Sequence, residues 1–336
     1  MGTVTIKDVA RRADVSLATA SRVANNTRSV DPEIRKRVEA AIIELGYAPN
    51  LMARSLRSGR TRTIAFEVRD ITVAPLAGLV RTAQEVLSRD GYALLVTTSD
   101  ADRERELAFL KSALQRVDGI IVTTSADDPE IEKALADLDM PVVYFDRRPV
   151  GNNDAVLVAH GDGIRQAVDY LASLGHERIG LITGAASARP ARERLSAFEV
   201  AMRDHGLRPE PELVRARSFD SDAAFMDASG LLSLPKPPTA LIAGGTSVLP
   251  GIIRAAHSRN LSIPRDLSVI GGADSDLASL GTPAFTVIRA DYGAIGRAAA
   301  EMLLERIGAK EPIAPREIVF PTELVIRESC GAPRSP

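Results

Sequence analysis

Thr5-Ile-Lys-Asp-Val-Ala-Arg-Arg-Ala-Asp-Val-Ser-Leu-Ala-Thr-Ala-Ser-Arg-Val-Ala-Asn25 carries two short amphipathic patterns joined by a two-residue connection. Ile6, Val9, Ala10 and Ala13 recur at i, i+3, i+4 and i+7, which predicts a helix over roughly 6–13 with Thr5 as its N-cap. After Asp14-Val15, Ser16 caps a second helix, which sets Ala20, Val23 and Ala24 on one face and Ala18, Ser21, Arg22 and Asn25 on the other. A third helix follows, with Asp31 as N-cap, Pro32 at its first position and Ile34, Val38, Ala41, Ile42 and Leu45 along one stripe. Three short helices sharing one small core, the second presenting a small, polar and cationic face, are the layout of a helix-turn-helix unit.

That face suits the major groove of double-stranded DNA. Arg22 can offer two parallel N–H donors to guanine, while the hydroxyls of Thr5, Ser16, Thr19 and Ser21 suit phosphates. Leu17 and Ala18, nearest the helix N-terminus, suit a thymine methyl. Charge agrees: residues 1–62 hold 12 Lys and Arg against 6 Asp and Glu, a net +6, so the remainder must carry −8 to give the chain its −2. A cationic head on an anionic body is expected where only the head meets nucleic acid.

The strings IKDVARRADVSLATASRVANN, DPEIRKRVEAAIIELGYAPNLMARSL, LASLGHERIGLITG and IPRDLSVIGG resemble the LacI/GalR family of bacterial transcription regulators, over nearly the whole length. The resemblance implies a dimeric repressor on an inverted-repeat operator, with a periplasmic-binding-protein-like core that binds a small effector in its cleft. It divides the chain into a helix-turn-helix domain at 1–48, a hinge helix and linker at 49–60, and an effector-binding and dimerisation core at 61–336. In the hinge, Pro49 stops the preceding helix, Asn50 can cap a new one and Gly59 can end it. About two turns of helix are unstable alone. The resemblance implies that they form on operator DNA, with Asn50, Ala53 and Leu56 at the minor groove and Leu56 as an apolar wedge between base steps.

Beyond residue 61 the pattern alternates. Apolar runs at 64–68, 92–96, 119–122, 142–145, 178–182, 240–243 and 267–271 read as strands. Helical patterns fall near 75–89, 103–116, 129–138, 162–174, 190–205, 221–233 and 247–259. Such alternation predicts an α/β core of parallel sheets in two doubly wound lobes. The resemblance implies that the chain passes between lobes near 158–162, 288–292 and 318–323, making a first lobe of about 61–160 and 290–320 and a second of about 161–289 and 321–330.

Ligands of parallel sheets bind beyond the carboxyl ends of strands. Here those ends offer Asp70, Thr98, Thr123 and Asp146 in the first lobe and Arg194, Thr246 and Asp274 in the second. Asp146 and Arg194 match the family's effector contacts. The chain departs from the family where Gly245-Thr246 replaces a usual Asn-Asp pair and Ala273-Asp274 replaces paired aspartates. Six arginines, 69, 147, 148, 189, 192 and 194, fall near strand ends, which favours a sugar acid or another small anion; a neutral sugar stays open beside it. Of these, Arg148, Arg189 and Arg192 are expected at the surface or rim.

Other classes find little support. The four histidines, at 160, 176, 205 and 257, lack metal-ligand spacing, and His176 after Leu174-Gly175 is expected to cap a helix end or supply charge there. Gly161-Asp-Gly163 lacks the third glycine of a dinucleotide fingerprint, and no phosphate loop or nucleophile elbow occurs. Neither an enzyme, a metal nor a cofactor is expected. Cys330 is the single cysteine, and neither a secretory leader nor a run of ~18 apolar residues is present, so a cytoplasmic protein with no membrane partner is expected. An exported solute receptor of the same core fold is the rival reading, as is a regulator whose core no longer binds effector. A chain ending at Pro336 without a heptad tail argues against a tetramer.

Overall fold

The computed structural model describes residues 4–24, 30–47, 59–100, 102–113, 116–124 and 126–334, and the chain divides into two units, Met1–Thr61 and Arg62–Pro336. In the first unit, helices Ile6–Arg12, Leu17–Ala24 and Pro32–Leu45 bury Val9, Ala10, Ala13, Ala20, Val23, Val38 and Ala41 together. Their ends follow from local chemistry. Ser16 Oγ accepts the Thr19 N–H at 3.1 Å, and Asp31 Oδ1 accepts those of Glu33 and Ile34 at 2.9 and 3.3 Å. The turn between the first two helices passes through Asp14 at φ +51°, a conformation that aspartate tolerates. Arg37, on the third helix, fastens that turn by donating to the carbonyls of Ala13 and Asp14 at 2.5 and 3.0 Å.

The second unit contains two six-stranded sheets. In the first lobe the strands are β1 Thr63–Val68, β2 Ala93–Thr98, β3 Gly119–Val122, β4 Val142–Phe145, β5 Asp154–Val158 and β11 Glu317–Phe320. Their order is β11-β5-β4-β3-β1-β2, all parallel. In the second lobe they are β6 Ile179–Gly184, β7 Val214–Arg217, β8 Ala240–Gly244, β9 Ser268–Gly271, β10 Thr286–Arg289 and β12 Glu323–Val325. Their order is β12-β10-β9-β8-β6-β7, with β12 alone antiparallel. Helices cover both faces, so the central strands are buried throughout and read as unbroken apolar runs.

The expected strands do not include β5, β7, β10, β11 and β12; β7, β11 and β12 are edge strands, partly open to solvent. The helix expected over 103–116 is described as Arg103–Ala113. The chain passes between lobes at 159, at 290–291 and at 321–322. In the first lobe, helices Ala74–Arg89 and Tyr292–Gly308 approach so closely that the Thr82 hydroxyl donates to the Gly293 carbonyl at 2.9 Å. Buried apolar clusters lie on both sides of each sheet. No helix among the described residues is long and apolar enough to cross a membrane.

Candidate functional site

The second helix of the first unit turns Ala20 and Val23 into the core and leaves Ser16, Leu17, Ala18 and Arg22 exposed, with Thr19 and Ser21 half-buried at the margin. Leu17 is 46% exposed, although burial would stabilise a leucine by about 1.5–3 kcal/mol, so the apolar side chain is presented outward at local cost. Thr5 turns its N–H and hydroxyl to the Asp8 carboxylate at 3.0 and 2.7 Å, closing the start of the first helix. Asn25, Asn50, Ala53 and Leu56 lie outside the described residues.

In the second unit, Asp70, Thr123 and Asp146 at the ends of first-lobe strands face Arg194 and Thr246 of the second lobe across a cavity of about 120 Å³. Two expected residues are not among its walls. Thr98 ends the edge strand β2, one strand farther out than β1. Asp274 does not line the cavity but forms an ion pair with Arg327, whose Nη2 reaches its two carboxylate oxygens at 2.9 and 2.8 Å.

At the floor of the cavity Asp146 occupies the left-handed region at φ +57°, which aims its carboxylate at the interlobe passage. Its Oδ2 meets His160 Nε2 at 2.7 Å. Its Oδ1 accepts from Arg189 Nη1 at 2.8 Å and from the Val158 N–H at 3.3 Å. His160 Nδ1 faces Arg194 Nη2 at 2.8 Å, and since a guanidinium has only donors, Nδ1 must be the acceptor and Nε2 must carry the proton. His160 is therefore neutral: burial first, then the neighbouring Arg194 charge, lowers its pKa to about 4 against the opposing pull of Asp146. Burial pushes the Asp146 carboxyl up, but His160, Arg147 and Arg189 outweigh it and leave it below the ordinary range. Burial likewise lowers the Arg194 and Arg147 pKa values, opposed by Asp146.

Arg189 was expected at the rim and is instead buried, because Asp146 on one side and Glu193 at 2.6 Å on the other pay its desolvation. Arg192 fits its expected outer position, pairing with Asp127 of the first lobe at 2.5 Å while 43% of its side chain stays exposed. Arg148 is exposed.

An aromatic side wall was not legible beforehand. Phe219, in the loop after β7, is seated where a Cβ at Gly184 or Gly245 would stand 2.1 or 2.6 Å from its ring, so both glycines are required by its approach. The guanidiniums of Arg69 and Arg194 lie 5.4 and 5.8 Å from the ring centroid. Phe145 and Tyr292 meet edge to face at 6.3 Å and complete the apolar wall. No local pattern marks these three aromatics, since Phe219 comes from a loop, Phe145 from a strand end and Tyr292 from a helix start. His176, expected to cap a helix, is a buried tether instead: its ring bridges Thr239 Oγ1 at 2.8 Å to Ser268 Oγ at 3.0 Å and the Gly331 carbonyl at 2.9 Å.

A helix-turn-helix unit in the same chain as a two-lobed core with a cavity at its strand ends defines a DNA-binding regulator. Comparison with known proteins agrees from end to end. Residues 5–50 match the model of bacterial regulatory proteins of the lacI family, and residues 168–330 match a periplasmic binding protein-like domain. The ribose operon repressor of Escherichia coli strain K12 is 35% identical over 306 residues, covering 90% of this chain and 93% of its own. The repressor PurR of Glaesserella parasuis serovar 5 is 32% identical over 332 residues, covering 97% and 98%. Among solved structures, the lac repressor dimer bound to operator and the anti-inducer ONPF superposes with a TM-score of 0.83 at 26% identity, covering 98% of this chain and 100% of that one. The chain belongs to the lacI family of bacterial regulatory proteins. It is a DNA-binding transcriptional repressor rather than an enzyme, as its relatives are repressors.

Proposed function

We propose that this repressor acts as a homodimer on an inverted-repeat operator, and that a small sugar or sugar-acid-like effector in the interlobe cleft sets its affinity for that DNA. The cavity at the floor of the cleft carries the effector reading, because Asp70, Thr123, Asp146, Arg194 and Thr246 converge there from two lobes and five chain segments. A ribose operon repressor among the relatives supports a carbohydrate or related catabolic operon as the target. Dimerisation is supported by large apolar side chains left in the open: Leu95 on the edge strand β2 of the first lobe, and Leu277 and Leu280 on the short helix Asp276–Leu280 of the second. A two-fold dimer sets two recognition helices on half-sites about one helical turn apart.

In this reading residues 1–48 read the major groove through Leu17, Ala18 and Arg22, with Thr5, Ser16, Thr19, Ser21 and Asn25 at phosphates. Residues 49–60 link the reader to the core, with Asn50, Ala53 and Leu56 at the minor groove, and residues 61–336 sense the effector. Effector binding changes how the lobes close and thereby biases the reader between competent and incompetent states. Work on DNA places the protein in the cytoplasm.

Selection from a randomised pool, followed by gel-shift titration, tests the reading. An inverted repeat is expected, with Arg22→Ala weakening specific binding by about 1–3 kcal/mol. Recovery of a single half-site with affinity untouched in the Arg22→Ala protein refutes the dimer and the assignment together.

A further inference from the structure

The polar walls of the cleft are unbalanced. Arg69, Arg147 and Arg194 are donors only, and Arg147 Nε is buried without a partner among the described residues. Thr123, Thr246 and Ser247 add hydroxyls. Against these stand two carboxylates, Asp70 and Asp146. Asp70 lies toward the mouth, where its Oδ1 already accepts from the Thr72 N–H and hydroxyl at 2.9 and 2.7 Å. Asp146, deeper in, is the acceptor a polyhydroxylated ligand would use, and it is engaged on both oxygens.

The His160 and Val158 contacts come from the interlobe passage and leave room on Oδ1. The third donor is Arg189, a side chain from 43 residues downstream in the other lobe. Arg189 does not itself line the cavity and is also paired with Glu193 at 2.6 Å; it reaches Oδ1 from behind the cavity wall, where it occupies one of that oxygen's acceptor positions and holds a positive charge beside Arg147 and Arg194.

We propose that Arg189 is a specificity-determining residue: by capping Asp146 it takes away the acceptor for sugar hydroxyls, leaves a donor-lined cleft, and makes the effector a small molecule bearing an oxyanion. The inference rests on the cleft being the effector site. It extends that reading by naming the residue that decides between an acidic and a neutral ligand. Carboxylate oxygens on a ligand accept from Arg147 and Arg194 as charge-assisted hydrogen bonds, whereas a neutral sugar offers only uncharged acceptors to these donors. Freeing Asp146 reverses part of this balance, since its anionic oxygen then accepts from a hydroxyl.

Calorimetric titration of the full chain with ribose, glucose, ribonate and glucuronate, repeated on Arg189→Met, tests the proposal. Methionine keeps the buried volume and removes the contacts to Asp146, the Val158 carbonyl and Glu193; Arg189→Gln serves as a second neutral variant if the first does not fold, with melting temperature as the check. The wild-type protein is expected to bind at least one acid about tenfold or more tighter than its neutral counterpart. That ratio should fall at least about tenfold in the neutral variants, and Arg189→Lys, which retains charge and a donor, should restore it. An acid preference unchanged in the variants overturns the role of Arg189 and leaves the cleft reading standing. Tighter binding of the neutral sugar by the wild-type protein overturns the proposal outright. If none of the four compounds binds any of the proteins, the cleft reading falls with it.

Discussion

Glu67→Gln should stabilise the protein at alkaline pH, because Glu67 is a buried acid that folding holds protonated. It stands on β1, two residues before the cleft residue Arg69, and is 1% exposed. Burial first, then the Glu106 carboxyl beside it, pushes its pKa up to about 8, against the lowering influence of the Ser99 hydroxyl and Arg147. An acid whose pKa is raised by folding contributes stability that is complete below its ordinary pKa, here 4.5, and is lost as pH rises through its folded value. The unfolded chain releases the proton near 4.5, while the native state holds it until about 8, so every pH unit between costs native stability. At 1.36 kcal/mol per unit, wild-type stability should fall relative to Glu67→Gln by about 3 kcal/mol between pH 5 and pH 8. Glutamine keeps the shape and has no proton to lose, so the difference between the proteins removes the titration of all other groups. Urea or thermal unfolding at a series of pH values provides the assay. Parallel profiles for the two proteins, within about 0.5 kcal/mol, would refute the buried-acid argument.

His160 predicts the opposite slope at acid pH. With its pKa lowered to about 4, the unfolded chain binds the proton first as pH falls through 6.5, so about 3 kcal/mol of stability should be lost between pH 7 and pH 4 and be absent from the loss in His160→Gln; unfolding curves with equal acid slopes would contradict this. Gly296 tests the helix contact in the first lobe. A Cβ there would stand 2.2 Å from the Leu79 carbonyl oxygen, so Gly296→Ala must part the two helices and should cost about 1–3 kcal/mol in the unfolding free energy. Gly78, with nothing within 4 Å of its Cβ position, is the control whose alanine variant should be neutral or stabilised by up to about 1 kcal/mol.

The helix-turn-helix was legible because its determinants are local. Ser16 and Asp31 sit beside the N–H groups they serve, Thr5 lies beside the Asp8 carboxylate it donates to, and the apolar stripes that meet in the small core repeat within one or two turns. Strands β3, β4 and β8 were legible for a related reason, since burial on both faces demands an unbroken apolar run. The same logic hid the edge strands. Val214-Arg-Ala-Arg217 pairs on one side and meets solvent elsewhere, so its charges cost little. β5 was hidden by Asp154, a fully buried carboxylate whose position makes sense only with Arg306 and Arg316 brought to it from more than 150 residues away.

In the cleft the division is sharper. That Asp70, Thr123, Asp146, Arg194 and Thr246 lie at strand ends is a property of the alternating pattern, and their convergence follows from parallel topology. The partner of each is a property of distance in space. Asp274 looks like a ligand residue until Arg327 is folded against it, and Arg189 looks like a rim residue until it is folded against Asp146. The DNA-reading unit and the two-lobed core follow from local order along the chain, through periodicity and capping that act over a few residues. Tertiary structure alone decided which charges in the cleft are already neutralised, because a buried ion pair depends on side chains tens of residues apart meeting within 3 Å.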